Sequence, residues 1–373
     1  MKYTTIGKAF KLKSGAGLSA KKMIPGGFPV FGGNGINGNH NEYMFEDNKI
    51  AIGRVGAYCG NVHKTEAKAW ITDNALYIHE FFEEYNVNYL VFLLRSLNLN
   101  KYASQSGQPL ISAGRLKDVK IPLPPLDQQK KIAAILDAAD GYRQKTKALI
   151  EKYDELTQSL FLDMFGDPVS NPMEWEVNFL EQVTTKIGSG ATPRGGKQAY
   201  KKEGISLIRS MNVYDNRFKY KNLAFIDEDQ AAKLKNVIVE KGDVLFNITG
   251  ASICRSSVVP KDVLPARVNQ HVSILRPIKS IITSKFLSRF LISENVKTKL
   301  LGVGSGGGAV MEAITKEQLQ SIEVIIPPLE LQNEFSKRVQ AIEAQKAQTQ
   351  ASLAQAEDLF NSLLQRAFKG ELV

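Results

Sequence analysis

Ile121-Pro-Leu-Pro-Pro-Leu-Asp-Gln-Gln129 and Val324-Ile-Ile-Pro-Pro-Leu-Glu-Leu-Gln332 are two copies of one passage, and reading them together decides the fold. Their Pro-Pro pairs, at Pro124 and Pro327, lie 203 positions apart. The same offset, with no gap, pairs Ile111 with Ile314, Ser112 with Thr315, Leu116 with Leu319, Leu156 with Leu359 and Phe165 with Phe368. A register held over that length marks an internal duplication.

Each copy opens a helix. Pro-Pro disfavours helix upstream, Asp127 and Glu330 suit the positive end of a helix dipole, and Gly166 and Gly370 stand at the far ends. Between these signals the seam residues recur at alternating steps of four and three, which keeps them on one face. The first seam reads Ile132, Leu136, Ala139, Arg143, Thr146, Ile150, Tyr153, Thr157, Leu160, Met164. The second, each member 203 further on, reads Phe335, Val339, Ile342, Lys346, Thr349, Leu353, Ala356, Phe360, Leu363, Ala367. Gly141 is discordant, costing about 1 kcal/mol against alanine, and is expected to mark a bend. At 1.5 Å per residue, residues 128–165 extend roughly 55 Å, more than one small domain covers, so the two seams are expected to pack on each other. Arg143 with Thr146 and Lys346 with Thr349 form polar layers expected to fix the register. Connectivity favours an antiparallel pair.

The segments preceding the helices share a weaker pattern. Lys49-Ile-Ala-Ile-Gly-Arg-Val-Gly56 and Asp243-Val-Leu-Phe-Asn-Ile-Thr-Gly250 each read as a strand, a glycine turn and a return strand. Asn74 follows Gly56 by 18 residues and Asn269 follows Gly250 by 19, which aligns the two asparagines. Helical segments are expected near Tyr85–Leu97 and Ser284–Leu300. The fold class is therefore α/β, of α+β arrangement, with a pseudo-twofold repeat. It comprises mixed domains over 1–126 and 167–329 and long helices over 127–166 and 330–373 forming an antiparallel coiled coil.

The chain has 373 residues, enough for two domains with cores of their own, and a net charge of +10, which favours a polyanionic partner. No apolar run approaches a membrane span and Met1-Lys2-Tyr3-Thr4-Thr5 lacks a signal-peptide stretch, so a cytoplasmic protein is expected. Cys59 and Cys254 form no disulfide framework, and His40, His63, His79 and His271 lack metal-ligand spacing. Three glycine strings imitate enzyme motifs without their context. Phe31-Gly-Gly-Asn-Gly35 resembles the cofactor motif of amino-methyltransferases, whose catalytic Pro-Pro-aromatic motif is absent. Gly302-Val-Gly-Ser-Gly-Gly307 follows a helix-like segment, and Gly196-Lys197 lacks the rest of a phosphate loop.

A polar glycine-rich turn, an apolar strand, Pro-Pro-Leu with Gln and a long helix, all twice over, resemble type I restriction-modification specificity subunits along essentially the whole chain. The motifs are Phe28-Pro-Val-Phe-Gly-Gly-Asn-Gly35, Ile52-Gly-Arg-Val-Gly56, Ser106-Gly-Gln108, Ser189-Gly-Ala-Thr-Pro193, Gly242-Asp-Val-Leu-Phe246, Asn269-Gln270 and the two Pro-Pro passages. The resemblance implies a non-catalytic subunit in which each variable half reads one part of a split target on double-stranded DNA. It implies helices that set the gap between half-sites and dock methyltransferase subunits, two of them expected, with restriction and translocase subunits joining and no membrane partner. S-adenosylmethionine, ATP and Mg²⁺ are then expected on those partners, none on this chain. Ser305-Gly-Gly-Gly308 departs from the Gly-Gln pair of the first half, and the role of the loop Gly302–Gly308 stays open. The halves differ in most polar positions, which predicts an asymmetric target.

Phosphate contacts come from Lys, Arg and small polar residues, and base reading from Arg, Asn, Gln and Lys in the major groove. The candidates in the first half are Lys11, Lys13, Asn34, Asn37, Arg54, Lys64, Gln105 and Gln108. In the second they are Thr192, Arg194, Lys197, Arg209, Asn212, Asn247, Thr249, Arg255, Asn269 and Gln270. A lone lysine is more often a solvated surface charge, and Asn269 equally suits a turn. Two other readings stand beside this one: a self-contained adenine methyltransferase or its recognition fragment, told apart by cofactor binding, and a coiled-coil scaffold for proteins, told apart by a DNA mobility shift.

Overall fold

A computed structural model describes residues 2–104, 107–304 and 313–372. The chain forms two compact units, 1–149 with 349–373, and 150–348, so each long helix is divided between them.

The first long helix spans Leu126–Phe165 and the second Leu329–Lys369. Both start directly after Pro-Pro, and Gly166 (φ 73°) and Gly370 (φ 83°) end them in the left-handed conformation that glycine adopts without a Cβ penalty. The helix runs through Gly141 without interruption, and a Cβ there would meet nothing within 4 Å.

Each seam starts in the core of its own unit. In the first unit Ile132 and Leu136 are buried with Phe360 and Ala367, and Leu363 packs against them. In the second Phe335 and Val339 are buried with Phe161 and Phe165, with Leu160 against them. Ile150 and Leu353 are half-buried. Within each unit, then, the opening turns of one long helix lie beside the closing turns of the other, and they run antiparallel there. Each seam cation meets a partner in its own unit. Arg143 lies over the Phe360 ring, 4.5 Å from its centroid, in the first unit, and Lys346 pairs with Asp154 in the second.

The duplication extends to the sheets. In the first unit an antiparallel sheet orders the strands Phe10–Ser14, Ala75–Phe81, Ile50–Gly53 and Val62–Lys64; in the second the order is Thr184–Ser189, Val272–Pro277, Val244–Asn247 and Ser256–Val258. Ile50–Gly53 and Val244–Asn247, each central in its sheet, are buried at every position. A second sheet repeats a parallel pairing: Phe28–Gly32 beside Trp70–Ile71, and Ile205–Ile208 beside Ala266–Val268. A two-stranded ribbon closes each unit, Tyr3–Thr5 on Lys120–Pro122 and Glu176–Phe179 on Glu323–Ile326. The expected helices occur as Val87–Ser96, and as Ser284–Ile292 followed by Glu294–Gly304.

Candidate nucleic-acid interface

The central strand of each unit leaves through a short turn and returns, and backbone bonds align the two turns residue by residue. Gly53 donates to the Asn61 carbonyl at 2.7 Å and Gly60 to that of Gly53 at 2.8 Å; Asn247 donates to Arg255 at 2.9 Å and Cys254 to Asn247 at 2.9 Å. Gly53 therefore corresponds to Asn247, Gly60 to Cys254 and Asn61 to Arg255. Gly60 and Cys254 share a positive φ, 90° and 65°. Arg54 donates to the Asn74 carbonyl at 2.9 Å and Ile248 to that of His271 at 3.1 Å. The counterpart of Asn74 is thus His271, and the alignment of Asn74 with Asn269 is corrected by two residues. Asn269 corresponds to Thr72, since each donates its backbone N–H to the second sheet, at Ile208 and Phe31.

What differs between the units is the loop beside this turn. The antiparallel neighbours Phe28–Gly32 and Gly35–His40 are joined by two residues, Gly33 and Asn34, whereas residues 209–223 join Ile205–Ile208 to Ala224–Ile226. In the first unit a Cβ on Gly53 would stand 2.3 Å from the Tyr58 carbonyl oxygen and 2.5 Å from that of Gly33, so only glycine lets both the turn and the short loop close on the strand. In the second unit the same position carries Asn247, fully buried, whose Nδ2 donates to the carbonyls of Ser210 at 3.0 Å and Val213 at 3.4 Å. The side chain holds the longer loop where glycine admits the shorter one.

That longer loop carries a hairpin, Val213–Tyr214 paired with Arg217–Phe218, turning through Asp215 and Asn216, the latter at φ 51°. The Tyr214 ring gathers three cations: Arg255 Cζ at 4.4 Å from its centroid, Lys219 Nζ at 5.1 Å and Arg217 Cζ at 5.2 Å. A π face attracts cations at this range, and the guanidinium keeps its N–H edge free for a further acceptor. Lys219 also bonds the hydroxyl, and that bond first, then the nearby positive charge, holds the Tyr214 phenol below its ordinary range. Beside the turn runs a polar chain. Thr192 donates to Gln270 Oε1 at 2.6 Å, Gln270 Nε2 lies 3.1 Å from His271 Nε2, and Thr249 Oγ1 lies 2.6 Å from His271 Nδ1.

The other candidates separate by burial. Asn212, with no exposed surface, accepts the Arg209 backbone N–H and donates to the Lys219 carbonyl. Asn269, also buried, accepts the His271 N–H at 3.1 Å and so serves the turn. With Asn247, these three side chains face the interior of the unit. Arg209 is half-buried over the Tyr200 ring at 5.1 Å, and Arg194 is exposed. Lys197 lies in the turn Gly196–Ala199. In the first unit Lys11, Lys13, Asn34, Asn37 and Gln108 are exposed. Lys64 donates to Asn88 Oδ1 at 2.8 Å, and Arg54 is half-buried, donating to Ser14 Oγ at 3.1 Å. Asn61 donates to Asn34 Oδ1 at 3.4 Å. Gln105 and the loop from Ser305 lie outside the described residues. Tyr214, Arg217, Lys219 and Asn61 escaped the sequence reading, although Asp215-Asn216 between an aromatic and a basic residue is a hairpin signal. Among the described residues no group of His, Cys, Asp and Glu is placed to hold a metal ion, and no helix is long and apolar enough to cross a membrane.

A family model described as the type I restriction modification DNA specificity domain matches residues 1–152 and 172–358. Similar curated proteins include the EcoprrI type I restriction enzyme specificity subunit of Escherichia coli, 35% identical over 144 residues, 37% of this chain and 36% of that protein. The putative MjaX specificity subunit of Methanocaldococcus jannaschii is 29% identical over 277 residues, 68% of this chain and 61% of that protein. The match thus spans less than two thirds of either relative. Among solved structures, the S subunit of a type I restriction-modification system from M. genitalium aligns over 98% of this chain and 96% of its own, with TM-score 0.62 and 18% identity. That likeness is one of fold.

Proposed function

Because this chain belongs to the type I restriction-modification DNA specificity family, we propose that it is the specificity subunit of such a complex: each unit reads one part of a split, asymmetric double-stranded DNA target. The observation that carries this reading is a duplicated frame bearing unlike surfaces. The sheets, ribbons and helices recur in both units, whereas the loop beside the repeated turn has two residues in one and runs from 209 to 223 in the other. Equal frames with unequal loops suit two different half-sites. A net charge of +10 supplies sequence-independent attraction to the phosphates.

In this reading the exposed cations Lys11, Lys13 and Arg194 position the backbone, and the polar groups around the repeated turns meet base edges. Asn212, Asn247 and Asn269 shape the loops that do so. The long helices space the half-sites and dock two methyltransferase subunits, to which restriction subunits add. The methyl donor, ATP and Mg²⁺ belong to those partners, and this chain supplies no catalysis. Methylome sequencing of cells expressing it with its methyltransferase tests the proposal. A split, asymmetric methylated motif is the expected result, and a continuous or absent motif overturns it.

A further inference from the structure

Asn61 and Arg255 occupy one place in the repeated frame, and each meets the loop that differs between the units: Asn61 bonds Asn34 at 3.4 Å, and Arg255 lies over Tyr214 at 4.4 Å. Asn34 and Asn61 are exposed and Arg255 is half-buried against its ring. Arg217, Lys219 and Arg255 enter no ion pair among the described residues, so three uncompensated cations surround one tyrosine.

We infer that this shared place is the base-reading position of each unit, with Asn61 and Asn34 reading an A·T pair in one half-site and Arg255, steadied by Tyr214, reading a G·C pair in the other. The assignment rests on the specificity-subunit reading and deepens it. A carboxamide offers one donor and one acceptor side by side, which matches N7 and N6 of adenine, whereas a guanidinium offers two parallel donors, which match N7 and O6 of guanine. Stacking fixes the plane of the Arg255 guanidinium and thereby the direction of its donor edge. Arg217 and Lys219, on the exposed hairpin, face the phosphates that flank such a base pair. The buried Asn247 amide, on the carbonyls of Ser210 and Val213, seats the hairpin that carries the ring.

The test maps the methylated motif of the complete complex with wild type, Asn61→Ala, Arg255→Ala, Arg255→Gln and Lys219→Ala. Wild type gives a split motif. Arg255→Ala lowers the preference for one G·C pair about tenfold and leaves the other half-site unchanged. Asn61→Ala relaxes one A·T pair in that other half-site. Arg255→Gln, which keeps a planar donor group and guards against simple loss of folding, moves the affected position toward A·T. Lys219→Ala lowers methylation at all sites alike. A split wild-type motif whose base preferences survive both Arg255 substitutions overturns the base-reading assignment and leaves the specificity-subunit reading standing. A continuous wild-type motif overturns both.

Discussion

Gln129 and Gln332, 203 positions apart, make the same buried latch. Gln129 Oε1 accepts the backbone N–H of Asn86 at 3.0 Å while its Nε2 donates to the Pro124 carbonyl at 2.9 Å. Gln332 Oε1 accepts the N–H of Thr283 at 2.8 Å and its Nε2 donates to the carbonyls of Pro327 at 2.9 Å and Ile281 at 3.0 Å. Asn86 and Thr283 cap the helices Val87–Ser96 and Ser284–Ile292, so each latch ties the start of a long helix to the start of the helix packed beside it. Replacing Gln129 by leucine strands the Asn86 N–H and the buried Pro124 carbonyl, and replacing Gln332 strands one N–H and two carbonyls. Gln129→Leu is expected to destabilise the first unit by about 2 kcal/mol, read by denaturant unfolding. Stability unchanged within error would refute the latch.

Asp243 is buried and makes a two-pronged pair with Arg276, Nε to Oδ1 at 2.8 Å and Nη2 to Oδ2 at 2.9 Å, beside Glu240. Its Oδ2 also accepts the Glu240 N–H at 2.7 Å. Asp243→Ala leaves Arg276 with less compensation and an orphaned N–H, and is expected to cost roughly 3 kcal/mol. Asp243→Asn retains the backbone contact and is expected to cost less. Thermal unfolding of the two variants ranks them, and the opposite order would discount the charge pair.

Burial holds the His63 imidazole below its ordinary value, with Arg95 adding to the shift and a backbone bond to Gly33 opposing it. Above the unfolded value of about 6.5 both states are neutral and the residue contributes no pH dependence. As pH falls through that value the unfolded chain takes up the proton first, so stability declines on acidification. Melting temperature measured from pH 7.5 to 5.5 is expected to fall more for wild type than for His63→Phe. Parallel curves would remove His63 as the cause.

Asn247→Ala frees the carbonyls of Ser210 and Val213 from the strand below them. Amide exchange is expected to quicken over residues 209–218 while the 28–40 hairpin of the first unit stays protected. Slower or unchanged exchange over 209–218 would mean that the loop is held by its other contacts, such as the Asn216 N–H on the Ser256 carbonyl at 2.8 Å.

The helices and the duplication were legible because a gapless offset and a four-three spacing are properties of sequence order. The long helices begin at Leu126 and Leu329, where the Pro-Pro rule puts them. Three-dimensional correspondence was less accessible. Asn74 aligned with Asn269 by counting, yet the backbone pairs it with His271, because the segments joining turn and return strand differ in length between the units. Burial was hidden too. Asn212 and Asn247 have the chemistry of base readers, and only packing shows their amides spent on backbone carbonyls. The Tyr214 cluster draws Arg255 from the turn that precedes the strand Ser256–Val258, a juxtaposition no local window contains.

Gly53 and Asn247 occupy one address and accept loops of different length: an absent side chain admits two residues, and a carboxamide anchors the loop 209–223. The frame therefore does not dictate what hangs from it. Loop length is thus set at one position of the central strand, while the latches and the long helices recur unchanged in both units.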